Sequence, residues 1–161
     1  MTNFFNRQKG FTLTEMLVAA AILAVLAGAI LPLAKVAVQR EKEIELRRSL
    51  RLIREAIDAY KKMADENKIE IDKDTDGYPP NLEALVNGVK LKSEAKEKTS
   101  GEKLKKFLRR IPRDPMAKST EWGLLSTQDA PDAMVWGEQN VFDVYSRSRG
   151  KALDGTKYSE W

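Results

Sequence analysis

The 161-residue sequence predicts an α+β chain in which one long amino-terminal helix, membrane-spanning in its first half, packs through its second half on a small antiparallel sheet. Three observations predict this. Met16 to Ala34 is a run of nineteen uncharged residues, close to the roughly 20 that a helix needs to cross hydrocarbon. The stretch that follows, QREKEIELRRSLRLIREAIDAYKKMADE, repeats apolar residues at helical spacing. Beyond it, short runs rich in β-formers are separated by Gly and Pro, the pattern of strands and turns.

Composition limits the chemistry. Hydrophobic residues make up 42% and charged residues 32%, a folding balance that suits one modest soluble domain with one appended segment. The absence of Cys excludes disulfides and thiolate metal sites while leaving the redox compartment open, and the absence of His removes imidazole chemistry. Formal charge is +4, with both signs interleaved along most of the chain, so no dedicated nucleic-acid surface is expected. There is no phosphate-cradling loop and no G-x-S-x-G. SEAK, Ser93 to Lys96, satisfies S-x-x-K only within a lysine-rich run. An enzyme is not expected.

The first element is a leader, MTNFFNRQKG, with Arg7 and Lys9 directly before the apolar run, as at the front of a secretory signal. No small-residue cleavage site follows that run, which continues into Lys35 and a charged helix, so the apolar segment is expected to be retained. Lys35, Arg40 and Lys42 rival Arg7 and Lys9, and the positive-inside rule does not settle orientation. Glu15 is the anomaly. A carboxylate at the centre of a membrane helix costs about 2.5–3.5 kcal/mol on insertion scales, less near the interface, so it calls for a partner or for protonation. Cleavage between Gly10 and Phe11 would create an α-amine. At about 1.5 Å per residue that amine is poorly placed for its own Glu15, whereas a neighbouring chain shifted along the axis could bring the charges together. An interfacial carboxylate snorkelling to headgroups is the plainer alternative. Pro32 cannot donate to the carbonyl of Gly28, which marks 28–32 for local melting or for a simple kink.

In the second half of the helix Leu46, Leu50, Ile53, Ile57, Tyr60 and Ala64 form an apolar stripe, widened by Ala56, Ala59 and Met63. That breadth suits packing on a domain better than a coiled-coil seam. Glu43 with Arg47, and Asp58 with Lys62, add i,i+4 support. A helix from Phe11 to about Met63 would be roughly 80 Å long, of which about 30 Å fits in hydrocarbon. The resulting segments are 1–10 (leader), 11–36 (membrane), 37–64 (amphipathic helix) and 65–161 (soluble α+β domain).

Within 65–161, DGYPPNLEALVNG reads as a turn and a short helix ended by Gly88. VKLKSEAKEKTSGEKLKK reads as a loop with some helix. In FLRRIPRDPMAKS, Pro112 and Pro115 end any helix at Ile111. EWGLLST, AMVWG and VFDVYSRS read as three strands. DKDTDGYPPNLE fits the calcium-loop template D-x-D-x-D-G-x5-E: Asp72, Asp74 and Asp76 supply oxygens, Gly77 the turn, Tyr78 a carbonyl and Glu83 a bidentate carboxylate. Pro79 and Pro80 remove backbone donors that such loops use.

KGFTLTEMLVAAAILAVLAGAILPL resembles the amino-terminal signature of type IV pilins and type II secretion pseudopilins. The resemblance implies a pilin-like lollipop fold, cleavage after Gly10 by a prepilin peptidase, methylation of the Phe11 amine and an assembly role for Glu15. It also implies loss of helical order around Pro32 on assembly. YPPNLEALV, FLRRIPRDP and FDVYSRSRG resemble, in order, blocks of the major pseudopilin branch. That branch usually continues Asp-Pro-Trp-Gly, where this chain has Asp114-Pro115-Met116-Ala117. It implies a periplasmic filament that drives protein export, built from copies of this chain with minor pseudopilins and an inner-membrane platform. A pilus subunit for adhesion, motility or DNA uptake, or a signal-anchored periplasmic binding module, is the alternative. The branch places calcium in the loop after its last strand; Asp143, Ser146 and Asp154 fall there, but Arg147, Arg149 and Lys151 replace parts of the acidic pattern.

Overall fold

The computed structural model describes residues 10–71, 74–92, 103–130, 133 and 135–161, with the side chains of residues 29 and 31 left aside. The chain divides into two compact units, Met1–Gln39 and Arg40–Trp161. Helix α1, Leu13–Asp65, runs through both as 53 helical residues.

In the first unit the helix opens at Thr12, whose carbonyl accepts the first helical bond from the Met16 amide at 3.1 Å. Pro32 lies inside the helix without ending it. An 18-residue window here is apolar enough to cross a membrane, and none of it is buried within the chain.

In the second unit α1 supplies one wall of the core. Leu46, Leu50, Ile53, Ile57, Tyr60 and Ala64, the predicted stripe, are all buried, and so is Ala56. Met63 is half-buried, whereas Ala59 lies outside the stripe and is exposed. The helix stops in a two-bond motif: Lys68 N–H donates to the Met63 carbonyl at 2.9 Å and Asn67 N–H to that of Ala64 at 2.9 Å. Asn67 takes φ +53°, the left-handed position that Asn tolerates at a helix end.

α2, Leu82–Asn87, begins at Asn81, whose side chain accepts from the Ala84 amide at 2.9 Å, and ends at Gly88 with φ +91°. It buries Leu82 and Leu85. β1 (Val89–Lys90) pairs antiparallel with β2 (Leu104–Lys105), Val89 opposite Lys105. β3 (Gly123–Leu125) pairs antiparallel with β4 (Asp143–Tyr145), Gly123 opposite Tyr145. A 3₁₀ turn at Tyr158–Glu160 precedes the last residue. The expected α+β class is therefore seen, with the antiparallel strand pairing among the described residues divided between two small ribbons.

Two sequence readings are corrected here. The stretch beginning at Val89 was expected as a loop with some helix, but its described ends form the β1–β2 pair, and Ile69 bridges to Leu91 beside it. AMVWG was expected as a strand, yet its described residues form none. There the polar groups turn to side-chain and loop partners: Trp136 Nε1 donates to the Asn140 carbonyl at 2.8 Å, and Gly137 N–H to Asp129 at 3.1 Å. FLRRIPRDPMAKS holds no helix; its turn is closed by the Asp114–Ser119 bridge.

Candidate functional site

The amino-terminal site is built by the first turn of α1. Gly10 and Phe11 precede the helix, with Phe11 81% exposed. Thr12 Oγ1 accepts from the Glu15 amide at 3.2 Å, and Glu15 Oε2 accepts in return from the Thr12 amide at 3.2 Å and from its hydroxyl at 3.3 Å. This is a capping box, in which two otherwise unmade helix-end donors are satisfied reciprocally. Its sequence signal is the T-x-x-E spacing before an apolar run.

Glu15 is thus held by neutral donors of its own chain, and among the described residues no cation forms an ion pair with it. Its carboxylate is exposed and keeps acceptor capacity for a charged donor from elsewhere. From Leu13 to Leu33 the described apolar side chains are open on every side of the helix, Leu23 65% and Val25 75% exposed. A helix apolar all round needs lipid or neighbouring helices to cover it. A Cβ added at Gly28 would meet nothing within 4 Å, so within one chain that position leaves room for a close neighbour.

Asp72 lies outside the described residues. Asp74 is exposed, Asp76 accepts from the Thr127 hydroxyl at 3.3 Å, and Glu83 is exposed in the first turn of α2. The amide of Tyr78 closes the turn by donating to the Thr75 carbonyl at 2.9 Å. Gly77 takes φ +79°, the left-handed turn its place in the template requires.

Asp143, Ser146 and Asp154 each have partners of their own. Asp143 is bound by Arg54 at 2.6 and 3.3 Å. Ser146 donates to Asp114 at 2.5 Å. Asp154 takes the Thr156 hydroxyl at 2.6 Å and lies 3.7 Å from Arg47. The Thr156 hydroxyl and amide, and then Arg47, hold the Asp154 carboxyl below its ordinary range. Among the described residues no three acidic groups gather as a cation site.

Two polar centres escaped sequence reading. Arg54 ties α1 to the end of the fold, donating to Asp143 and to the carbonyls of Val144 and Trp161 at 3.0 and 3.1 Å. Asp114 is fully buried and accepts from the amides of Met116 and Ala117 at 2.7 and 3.0 Å as well as from Ser146. The sequence hint for the second was the Arg-Asp-Pro block itself.

Residues 5–31 match the model of the prokaryotic N-terminal methylation motif. Neither curated proteins nor solved structures give a match to the chain. The motif is a prepilin-type signal of the type IV pilin-like class, whose members are structural rather than enzymatic, and it implies processing by a prepilin peptidase and assembly into filaments in general. Together with the apolar helix it fits a membrane-anchored protein.

Proposed function

We propose that this chain is the structural subunit of a type II secretion pseudopilus. Cleavage after Gly10 frees the Phe11 amine, which methylation leaves cationic. Glu15 of one subunit then neutralises Phe11 of the next, and the apolar helices exchange lipid for one another. Packing of small Ala and Gly side chains, Gly28 among them, lets neighbouring helices approach closely, and the helix loosens at Pro32 as it joins the bundle. The mature subunit waits in the bacterial inner membrane as a single-pass protein with 65–161 in the periplasm. Minor pseudopilins and the inner-membrane platform are its assembly partners.

The observation that carries this reading is the coincidence of the methylation motif over 5–31 with an exposed Glu15 that has no cation among the described residues, at the start of an uncovered apolar helix. Preference for a pseudopilus over an adhesive, motility or DNA-uptake pilus rests on the ordered blocks YPPNLEALV, FLRRIPRDP and FDVYSRSRG.

Intact mass of the protein from native membranes tests the first step: loss of residues 1–10 and gain of one methyl group are expected. Glu15→Ala subunits are expected to be processed yet to leave the membrane poorly. An uncut leader, or wild-type assembly by Glu15→Ala, would overturn the proposal. Loss of exported protein, with surface pili unaffected, on deletion of the chain separates pseudopilus from pilus.

A further inference from the structure

Residues 152–161 form a strap laid along α1. It is rigid in itself: the Ala152 amide donates to the Thr156 carbonyl at 2.8 Å, and the Gly155 amide returns to the Ala152 carbonyl at 3.0 Å. Trp161 Nε1 donates to the Thr156 hydroxyl at 2.8 Å, and its ring meets that of Tyr158 edge-on, with 5.3 Å between centroids. Ala152 and Tyr158 are buried and anchor the strap in the core.

Three side chains of α1 take hold of it. Glu43 accepts from the Leu153 amide and from the Tyr158 hydroxyl, each at 2.9 Å. The Arg47 guanidinium lies 4.0 Å from the centre of the Trp161 ring, a cation–π contact, and 3.7 Å from Asp154. Arg54 donates to the Trp161 carbonyl at 3.1 Å. Spaced four and seven residues apart, the three share one side of the helix. At about 100° per residue that side lies some 80° round from the middle of the buried stripe, so α1 is gripped on two faces. Towards Pro32 the helix has no comparable cover: from Leu13 to Lys42 no described side chain is buried.

A helix without tertiary packing is marginal, because little of its stability comes from propensity alone. A loss of order that begins at Pro32 can therefore spread towards the carboxyl terminus until packing halts it. The buried stripe acts only from Leu46 onwards and on one face. Unwinding also turns each side chain about the axis, and a turn held from two sides cannot rotate without breaking both holds. We propose that the 152–161 strap is the stop that confines loosening of α1 to residues before Glu43, so that the soluble unit stays folded while its helix joins the bundle. This rests on the loosening at Pro32 proposed above and adds the device that limits it.

The test is amide hydrogen exchange on the full processed chain, free in detergent and assembled into filaments, read by mass spectrometry on peptides from 28–42, 43–50 and 53–64. Filaments of the wild-type chain should exchange fast over 28–42 and slowly from 43 onwards. Glu43→Ala/Trp161→Ala removes two holds, neither of them a fully buried side chain. It should speed exchange over 43–50 at least about tenfold, with 53–64 within about twofold of wild type. Glu43→Gln keeps an acceptor for both donors and should stay close to wild type. Unchanged exchange over 43–50 in the double variant would overturn the stop and leave the loosening standing. Equal acceleration over 53–64 would also overturn it, making the strap general support for the core. Filaments protected throughout 28–42 would overturn the loosening and the stop together.

Discussion

Replacing Asp114 tests how the soluble unit holds its carboxyl-terminal half. The side chain is fully buried, and three donors converge on it: two backbone amides on Oδ1 and the Ser146 hydroxyl on Oδ2. Ser146 is fully buried as well and accepts in turn from the Ser148 amide at 3.1 Å. Asp114→Ala strands the donors in a closed site, where each unsatisfied group costs about 1–3 kcal/mol. With one donor finding water, the expected loss is about 3–5 kcal/mol, a large part of the roughly 5–15 kcal/mol typical of a domain. Asp114→Asn keeps an oxygen for both amides and only asks the Ser146 hydroxyl to turn round, so about 1–2 kcal/mol is expected. Ser146→Ala leaves Oδ2 without its hydroxyl at a similar cost. Because the pair shares one bond, Asp114→Asn/Ser146→Ala should lose less than the sum of the two singles. Denaturant unfolding of the full chain in detergent, followed by the fluorescence of buried Trp122, measures all four variants. A loss below about 1 kcal/mol for Asp114→Ala, or strict additivity in the double variant, would refute the reasoning.

Three further outcomes are expected. A Cβ at Gly123 would overlap the Tyr145 ring across the β3–β4 pair; Gly123→Ala should therefore cost about 1–3 kcal/mol, with much of it removed when Tyr145→Ala is added, as thermal unfolding would show. Arg54→Met should cost about 1–3 kcal/mol and loosen Trp161, since Asp143 and two carbonyls lose their donor; unchanged stability and unchanged Trp161 protection would count against it. The amides of Ser126 and Gly137 hold the Asp129 carboxyl below its ordinary range. Its hold on the Ser126 and Gly137 amides is thus complete above the ordinary carboxylate pKa and disappears as pH falls through the depressed value. The Ser126 amide shift in NMR should report that titration and lose it in Asp129→Asn, and a midpoint at or above the ordinary value would contradict it.

The helices were legible because their signals are local. Six positions spaced three and four apart describe the buried face of α1, and Asn81 and Gly88 bracket α2 through bonds that span three or four residues. Ala59, expected in the stripe, lies exposed, since at about 100° per residue it falls some 140° round the helix from the middle of that stripe, against about 80° for buried Ala56. The β1–β2 pair was not legible: two residues per strand are too few to show alternation, and the lysines conceal them. AMVWG misled for the opposite reason, having strand composition but backbone and indole donors that loop carbonyls and Asp129 take first.

The amino-terminal site divides in the same way. Gly10, Phe11, Glu15 and the uncharged run can be read directly from the sequence, because a long apolar segment and a carboxylate at its start have few physical outcomes. That Glu15 closes a box with Thr12, and has no cation among the described residues, needed coordinates.

By itself the sequence determined an uncovered apolar helix, its acidic start, and the amphipathic half that seeds a core, all set by spacing along one chain. Tertiary structure alone decided which distant residues meet: Arg54 with Asp143, Asp114 with Ser146, and Glu43 with Tyr158. The physical reason is range. Helical periodicity and capping act over four residues, whereas these partners lie 32 to 115 positions apart.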